Sequence, residues 1–395
     1  MKFKRIDVVI LAGGKGSRIK KYLNLLPKPM MPINGRNFLS YLIQRLCIYN
    51  VRKIYILCGY RADPIIKKYH NKIINFVPIV CVKEKKPMGT GGCLHKIFKK
   101  VSKEFILING DTFIDVDYSI IINKKINENQ SAMVVKKINK DLKSEKLNKL
   151  NVKNSYISIA KKGKYFNAGT YKLNKKIIKI IPKKFCSLEN EIIKNQIENK
   201  QVIPIMHKGF FLDIGSPESL GKSHNLLSKK LKKYAVFLDR DGTINEDYQY
   251  VYKKKDFHFK KGVIQGLQYL TKKNYYLFIV TNQAGIAKNK FTLEDLTRLH
   301  TWLKQYFLNK KIIIHDVEYC PFHKNAKNIK YKKNSLLRKP GNLMIENLKK
   351  KWDINLTKSF FIGDKYTDEL AARKSSLKFF YANTNFYKQI KDLVN

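Results

Sequence analysis

Two aspartates, Asp239 and Asp241, directly follow the apolar run Ala235-Val236-Phe237-Leu238 and precede Gly242-Thr243. Carboxylates two residues apart at the end of a buried strand can divide labour. One attacks phosphorus, the other moves the proton, and their combined charge attracts a divalent cation. Further along, Thr281-Asn282-Gln283 follows the apolar residues 277–280, and Gly363-Asp364-Lys365-Tyr366-Thr367-Asp368 follows Phe360-Phe361-Ile362. A hydroxyl and an amide at the first of these places can hydrogen-bond a phosphoryl group. Arg338-Lys339-Pro340 offers two adjacent cations, and Asp364 and Asp368 are a further acidic pair.

A different set precedes these. Ala12-Gly13-Gly14-Lys15-Gly16-Ser17-Arg18 comes straight after the apolar residues 6–11. Glycines there free backbone N–H groups to wrap a triphosphate, and Lys15 and Arg18 supply compensating charge. In Leu26-Pro27-Lys28-Pro29-Met30 the flanking prolines stiffen the backbone and hold Lys28 in a fixed direction. Gly89-Thr90-Gly91-Gly92 leads into a helix, and Asn109-Gly110-Asp111 ends a strand.

The elements that must position these residues alternate. Strands are expected at 6–11, 54–58, 79–82 and 105–109. Between them lie helices, one with Leu39, Leu42, Ile43 and Leu46 on a face, another with Asp63-Pro64 as N-cap and first turn. Strands at 235–238, 277–280 and 360–362 continue the pattern. Such alternation predicts mostly parallel sheets covered on both faces, with ligands at the carboxyl ends of the strands. The fold class is therefore α/β, with two doubly wound, Rossmann-like domains. They are expected at 1–228 and 234–395, joined by a lysine-rich linker at 229–233; the chain of 395 residues is long enough for two cores.

With 80 Lys and Arg against 30 Asp and Glu, the formal charge is +50. Lysine is spread through the whole chain, and no helix or aromatic platform concentrates it, so no specific nucleic-acid partner is expected. A basic nucleic-acid-binding protein with degenerate enzyme domains is the alternative of a different class; it predicts a steep salt dependence and no turnover. A basic surface also draws in nucleotides and sugar phosphates, which is a matter of rate. The apolar runs are too short to span a bilayer, and Met1-Lys2-Phe3-Lys4-Arg5 opens no segment with a small-residue cleavage site. These readings predict a cytoplasmic location and no membrane partner, and they leave an oligomer open. The six cysteines lack CxxC spacing, which predicts reduced, mostly buried thiols.

Taken in order, residues 11–18, Pro27-Lys28-Pro29, Gly89-Thr90-Gly91-Gly92, Asn109-Gly110-Asp111-Thr112, Asn167-Ala168-Gly169-Thr170-Tyr171 and Asp213-Ile214-Gly215-Ser216-Pro217-Glu218 resemble the sugar-1-phosphate nucleotidyltransferases. Within that family the resemblance is to the heptose 1-phosphate guanylyltransferases. It implies a GT-A-like domain in which a sugar-1-phosphate oxygen attacks the α-phosphorus of GTP, or of another nucleoside triphosphate, and pyrophosphate leaves. Asp111 and Asp213 would hold Mg²⁺, and Arg18 and Lys28 would neutralise charge at the reacting phosphorus. Gly13, Gly14, Lys15, Gly16, Ser17, Gly89, Thr90 and Gly91 would bind the nucleotide, with residues 89–92 packing close to the base. Asn167, Gly169, Tyr171, Lys162 and Glu189 would face the sugar.

Residues 237–245, 281–286, 338–340 and 363–368 resemble the haloacid dehalogenase superfamily of phosphatases, and within it the heptose 1,7-bisphosphate phosphatases near the histidinol-phosphatase branch. That resemblance implies Asp239 as nucleophile, Asp241 as general acid and then base, and Thr281 and Lys339 on the phosphoryl oxygens. Mg²⁺ would lie with Asp239, Asp241 (through its backbone carbonyl), Asp364 and Asp368, and Asn282, Arg338 and Lys365 would bind substrate. Both family patterns have gaps here. Lys161-Lys162 replaces a Glu-Lys pair, and a Tyr-Gly-x-Val element is missing near Glu145 and Val152. Of a zinc-binding set only Cys320 is in place, with Phe322, Ser335 and Leu337 at the other positions, so no structural zinc is expected. Taken together, the resemblances imply removal of the 7-phosphate of a heptose 1,7-bisphosphate and guanylyl transfer to the heptose 1-phosphate. The alternative keeps both reaction types with another sugar, mannose or glucose, and a histidinol-phosphate-type phosphatase.

Overall fold

The computed structural model describes residues 4–23, 25–138 and 149–394, so the readings at Met1, Lys2, Phe3 and Glu145 lie outside the described residues. The chain divides into two compact units, Met1–Leu227 and Ser228–Asn395.

In the first unit the strands Ile6–Ala12, Val51–Cys58, Val77–Lys83 and Glu104–Asn109 are parallel neighbours, with 6–12 between 51–58 and 104–109. Their near-continuous apolar runs, rich in Val and Ile, suit strands buried on both faces. The long strand Tyr165–Asn174 joins antiparallel beside 104–109, which makes the sheet mixed. Its Lys172 has no exposed surface. The ammonium donates to the carbonyls of Ile122 and Lys124 and pairs with Glu104, so a buried cation is left with every partner it needs. A small antiparallel pair, Thr112–Ile114 with Phe211–Asp213, sets Asp213 opposite Thr112. That register brings a carboxylate from late in the unit beside Asp111.

One boundary differs from expectation. The helix Asp63–Tyr69 is preceded by Ala62 at the cap position, so Asp63 is its first helical residue. The carboxylate takes the Lys83 ammonium at 2.7 Å rather than a backbone N–H. The helix Pro217–Leu231 also covers the start of the 229–233 stretch read as a linker.

The second unit holds a five-stranded, wholly parallel sheet. Its order is Asp316–Cys320, Tyr276–Asn282, Ala235–Leu238, Phe360–Gly363 and Lys378–Tyr381. Phe237, Phe278 and Phe361 are fully buried on adjacent strands, each burial stabilising by roughly 1.5–3 kcal/mol. The central strand ends at Leu238, so Asp239 emerges between the ends of its two neighbours, with Thr281 on one side and Asp364 on the other. All six cysteines are buried free thiols. No helix among the described residues is long and apolar enough to cross a membrane.

Candidate active sites

In the first unit a cleft of about 650 Å³ opens at the carboxyl ends of the parallel strands. Its lining includes Gly13, Gly14, Lys15, Lys28, Gly89, Thr90, Asn109 and Asp111. Lys28 begins a short 3₁₀ turn and is only 7% exposed; its ammonium lies 2.5 Å from Asp111 Oδ2. The Thr112 hydroxyl lies 3.3 Å from a carboxylate oxygen of Asp111 and of Asp213. Gly215 donates its N–H to Asp213 Oδ1 at 2.6 Å. A Cβ there would sit 2.4 Å from that oxygen, 2.9 Å from Lys28 Nζ and 3.0 Å from Arg18 Nη2. One carboxylate and two cations therefore converge on this glycine, and Asp111 meets the same Lys28. Burial pushes the Asp213 carboxyl up, and Asp111 adds to the rise; Lys28, the Gly215 N–H and Arg18 oppose it. A divalent cation between the two carboxylates would remove that repulsion.

Other residues of this set stand elsewhere. Gly16 and Ser17 are not among the residues lining the cleft; Gly16 has φ +63° and packs against Leu23 where the loop turns into the 3₁₀ segment Ser17–Tyr22. The glycines at 89–92 are required by the chain itself. A Cβ on Gly89 would meet the Cys186 carbonyl oxygen at 2.3 Å, and Gly91, buried, has its Cβ direction filled by Cys186 and Leu188. Gly91 thus packs against residues 186–188, not against the cleft. Tyr171 is fully buried in the core and is not among the residues lining the cleft; its hydroxyl bonds the Asn167 amide, whose oxygen accepts the Gly169 N–H at 2.9 Å. Gly169, with φ +67°, lies against Asn109, itself in the cleft lining. Lys162 sits on an exposed turn and is not part of that lining. Glu189 accepts the Thr90 hydroxyl at 2.6 Å, which ties it to the cleft wall. Glu84, which no motif singled out, also lines the cleft; burial raises its carboxyl, against the Met88 N–H and the Lys96 charge. The one sequence signal was an acid within a lysine run, Lys83-Glu84-Lys85-Lys86.

In the second unit Asp239, Asp364 and Asp368 bring carboxylate oxygens within 4.8 Å of one another. Lys339, 3% exposed, donates to Asp239 Oδ1 at 2.6 Å and to the Val280 carbonyl at 2.9 Å, and its ammonium is 2.6 Å from Asp368 Oδ1. Burial pushes Asp239 up to about 7, with Lys339 opposing and Asp368 adding to the rise. Burial by itself would lower the Lys339 ammonium, but Asp239 and Asp368 outweigh it and hold it above its ordinary value. Burial and Asp368 also raise Asp364, against Lys365. Asp364 Oδ1 is buried with no hydrogen-bond partner. Three crowded carboxylates, one with an orphaned oxygen, fit a divalent cation. Gly242, at φ +88°, and Gly363 make room for the cluster: side chains there would strike Asp364 at 2.2 Å and Asp368 at 2.5 Å.

The Asp241 side chain is not one of that cluster. It accepts Arg240 Nη2 at 2.8 and 2.9 Å, Asn245 Nδ2 at 3.0 Å and Gln283 Nε2 at 2.9 Å, donors that use its oxygens for hydrogen bonds. Thr281 is buried at the end of its strand, with its hydroxyl accepting the same Gln283 amide at 2.9 Å. Asn282 is a brace. Its amide exchanges two hydrogen bonds with the backbone of Lys339, at 3.0 and 3.1 Å, fixing the lysine across 57 residues of sequence. Arg338 is partly buried, and its Nη1 atom lacks a partner; burial lowers its guanidinium. Lys365 is exposed and pairs with Asp247 at 2.9 Å. Sequence reading missed Arg240, Asn245 and Gln283, although all three lie inside the quoted motifs; only the fold shows where their side chains turn. Cys320 packs into the apolar core with Phe322 and Leu337 against it.

The nucleotidyl transferase model matches residues 7–230, and a model described as polynucleotide kinase 3 phosphatase matches residues 233–391. A D-glycero-beta-D-manno-heptose-1,7-bisphosphate 7-phosphatase of Photorhabdus laumondii is 42% identical over 138 residues, covering 35% of this chain and 73% of the relative. A D-glycero-alpha-D-manno-heptose 1-phosphate guanylyltransferase of Campylobacter jejuni is 30% identical over 221 residues, covering 54% of this chain and 96% of the relative. Among solved structures, HddC from Yersinia pseudotuberculosis aligns at 30% identity with a TM-score of 0.49, over 56% of this chain and 99% of its own. The chain belongs to the nucleotidyl transferase family, and its second unit belongs to the family of the D-glycero-beta-D-manno-heptose-1,7-bisphosphate 7-phosphatases.

Proposed function

We propose that the chain carries out two consecutive steps in making a nucleotide-activated heptose. The second unit removes the 7-phosphate from D-glycero-D-manno-heptose 1,7-bisphosphate. The first unit then joins the heptose 1-phosphate to GTP, giving GDP-heptose and pyrophosphate. The observation that carries this reading is the coverage of two relatives, 73% of one and 96% of the other, whose names describe reactions on phosphates of one heptose. Each unit also gathers carboxylates and a buried lysine in one place, which supports a phosphate-handling role for both.

In the second unit Asp239 attacks the 7-phosphorus and the bond from phosphorus to the sugar oxygen breaks. Asp241 gives that oxygen a proton. Water then attacks the aspartyl-phosphate, the bond to Asp239 breaks, and Asp241 takes the water's proton. Lys339 and Thr281 hold the phosphoryl oxygens, while Arg338 and Lys365 hold the sugar phosphate. In the first unit Lys28, Arg18 and Lys15 hold the triphosphate while the sugar phosphate oxygen attacks the α-phosphorus. Asp111 and Asp213 in one unit, and Asp239 and Asp364 in the other, would hold Mg²⁺, which when bound neutralises phosphate charge. Asp368 orients Lys339 beside that site. The reactions belong in the cytoplasm, where GTP is available.

The relatives' names differ in anomer, beta for the bisphosphate and alpha for the 1-phosphate. Consecutive steps require the second unit to accept the alpha bisphosphate, because neither step inverts the anomeric carbon. The test is a panel: phosphate release from both anomers of the bisphosphate, and pyrophosphate release from heptose, mannose and glucose 1-phosphates with each of four nucleoside triphosphates. Turnover of the alpha bisphosphate together with heptose 1-phosphate and GTP supports the reading. Strict beta selectivity, or preference for mannose or glucose, would refute it.

A further inference from the structure

Among the described residues Arg240 is the largest fully buried side chain, and it lies between the two proposed catalytic aspartates in sequence. A buried guanidinium must be paired and fully bonded, or it destabilises the fold. Here it grips the Asp241 carboxylate through Nε at 3.1 Å and through Nη2, and Nη2 also donates to the Val251 carbonyl at 2.7 Å. The remaining nitrogen, Nη1, lies 3.0 Å from Nε2 of His300, a fully buried residue on the helix Leu293–Asn309. A guanidinium only donates, so His300 Nε2 must be the acceptor and its ring proton must sit on Nδ1. Burial, with Arg240 and Lys304 nearby, holds the imidazole well below its ordinary value, which keeps that lone pair available. From the other side, one Gln283 amide nitrogen reaches both Asp241 Oδ2 and Thr281 Oγ1 at 2.9 Å.

We infer that His300 and Gln283 are positioning residues of the phosphatase reaction, His300 through Arg240 and Gln283 directly, fixing the Asp241 carboxylate for its proton transfers. The inference rests on Asp241 being the acid and base of the proposed reaction. The same hold serves the second step, where Asp241 takes the proton of the water that attacks phosphorus. With His300 replaced, Arg240 Nη1 loses its acceptor, and the guanidinium and the carboxylate it grips can rotate away from the reacting oxygen.

The test uses the full chain with Mg²⁺ and p-nitrophenyl phosphate, whose leaving group departs without a proton. His300→Phe and Gln283→Leu should each release a burst of one p-nitrophenolate per chain and then turn over about 10- to 100-fold more slowly than wild type. With a sugar phosphate, whose leaving group needs the proton, both variants should be slow without a burst. His300→Gln, whose amide oxygen can accept the same N–H, should recover most of the rate. Melting curves identify any variant that fails to fold, and Gln283→Leu tests the network independently of the His300 helix. Asp241→Asn separates the two levels of the reading. If it shows the burst while folded His300→Phe and Gln283→Leu turn over both substrates like wild type, the positioning role is wrong and the acid-base role stands. If Asp241→Asn itself turns over like wild type, the proposed mechanism fails instead. A loss equal for both substrates, with no burst, marks a merely structural effect and also overturns the inference.

Discussion

The two charged centres solve similar electrostatic problems with different degrees of enclosure. In the first unit Asp111 and Asp213 meet Lys28 at the edge of an open cleft, and Arg18 and Lys15 are exposed. In the second unit Lys339 and Asp239 are nearly sealed, with Asp368 behind them and the Phe361 ring 5.5 Å from the ammonium. The difference follows the substrates. Guanylyl transfer must seat a nucleotide and a sugar phosphate together, so its cations have to reach over a wide opening. In the proposed phosphatase reaction the bond to phosphorus forms from the protein's own side chain, so one phosphoryl group is needed in one place. Low local dielectric then strengthens every charge that aims at it.

The largest effect expected from this contrast is at the enclosed centre. Asp239→Asn removes the proposed nucleophile and should lower phosphate release more than about 10³-fold, leaving pyrophosphate release from supplied heptose 1-phosphate and GTP intact. Parallel loss of both activities would show that the centres are not separate. At the open centre, Lys28→Ala or Asp213→Asn should lower pyrophosphate release by about 10²–10³-fold with phosphate release kept. A loss as large as that at Asp239 would mean the cleft is no more forgiving than the enclosed site. Asn282→Ala comes next. It frees the Lys339 backbone without touching the ammonium, and a displaced lysine should lower kcat by roughly 10-fold or more with KM little changed. A rise in KM alone would make Asn282 a substrate contact after all.

How much of this could be read from residue order also differs between the centres. Asp239, Thr281 and Asp364 each end a short apolar strand, so a reading of strand ends already placed them together. The pairing of Asp111 with Asp213 rests on a two-stranded register that joins segments about a hundred residues apart, and no local pattern contains it. Tyr171 and Asn282 looked like substrate contacts because they sit inside functional motifs. The fold turns one into the core and binds the other to the Lys339 backbone. Gly91 is another such case, since a glycine that leaves room for a ligand and one that leaves room for Cys186 look alike in sequence. Lys162 was carried by resemblance alone, and its turn stays at the surface.

The smallest effect is on stability. His300 is buried with its imidazole held well below the ordinary value, chiefly by loss of water. Below about pH 6.5 the unfolded chain takes up a proton at this position that the folded chain does not, so folding weakens as pH falls. Wild-type melting temperature should therefore decline relative to His300→Gln as pH is lowered from 7 through the histidine range. A difference that stays constant with pH would show that His300 takes up its proton equally in the folded and the unfolded chain, against the lowered value.

The central claim is that one chain performs the two steps in order. It is tested most directly by incubating the protein with Mg²⁺, GTP and D-glycero-α-D-manno-heptose 1,7-bisphosphate, following phosphate and pyrophosphate separately. Phosphate should appear first and pyrophosphate after it, and Asp239→Asn should stop both until heptose 1-phosphate is added. Pyrophosphate released from the bisphosphate by the Asp239→Asn chain, or phosphate never followed by pyrophosphate, would contradict it.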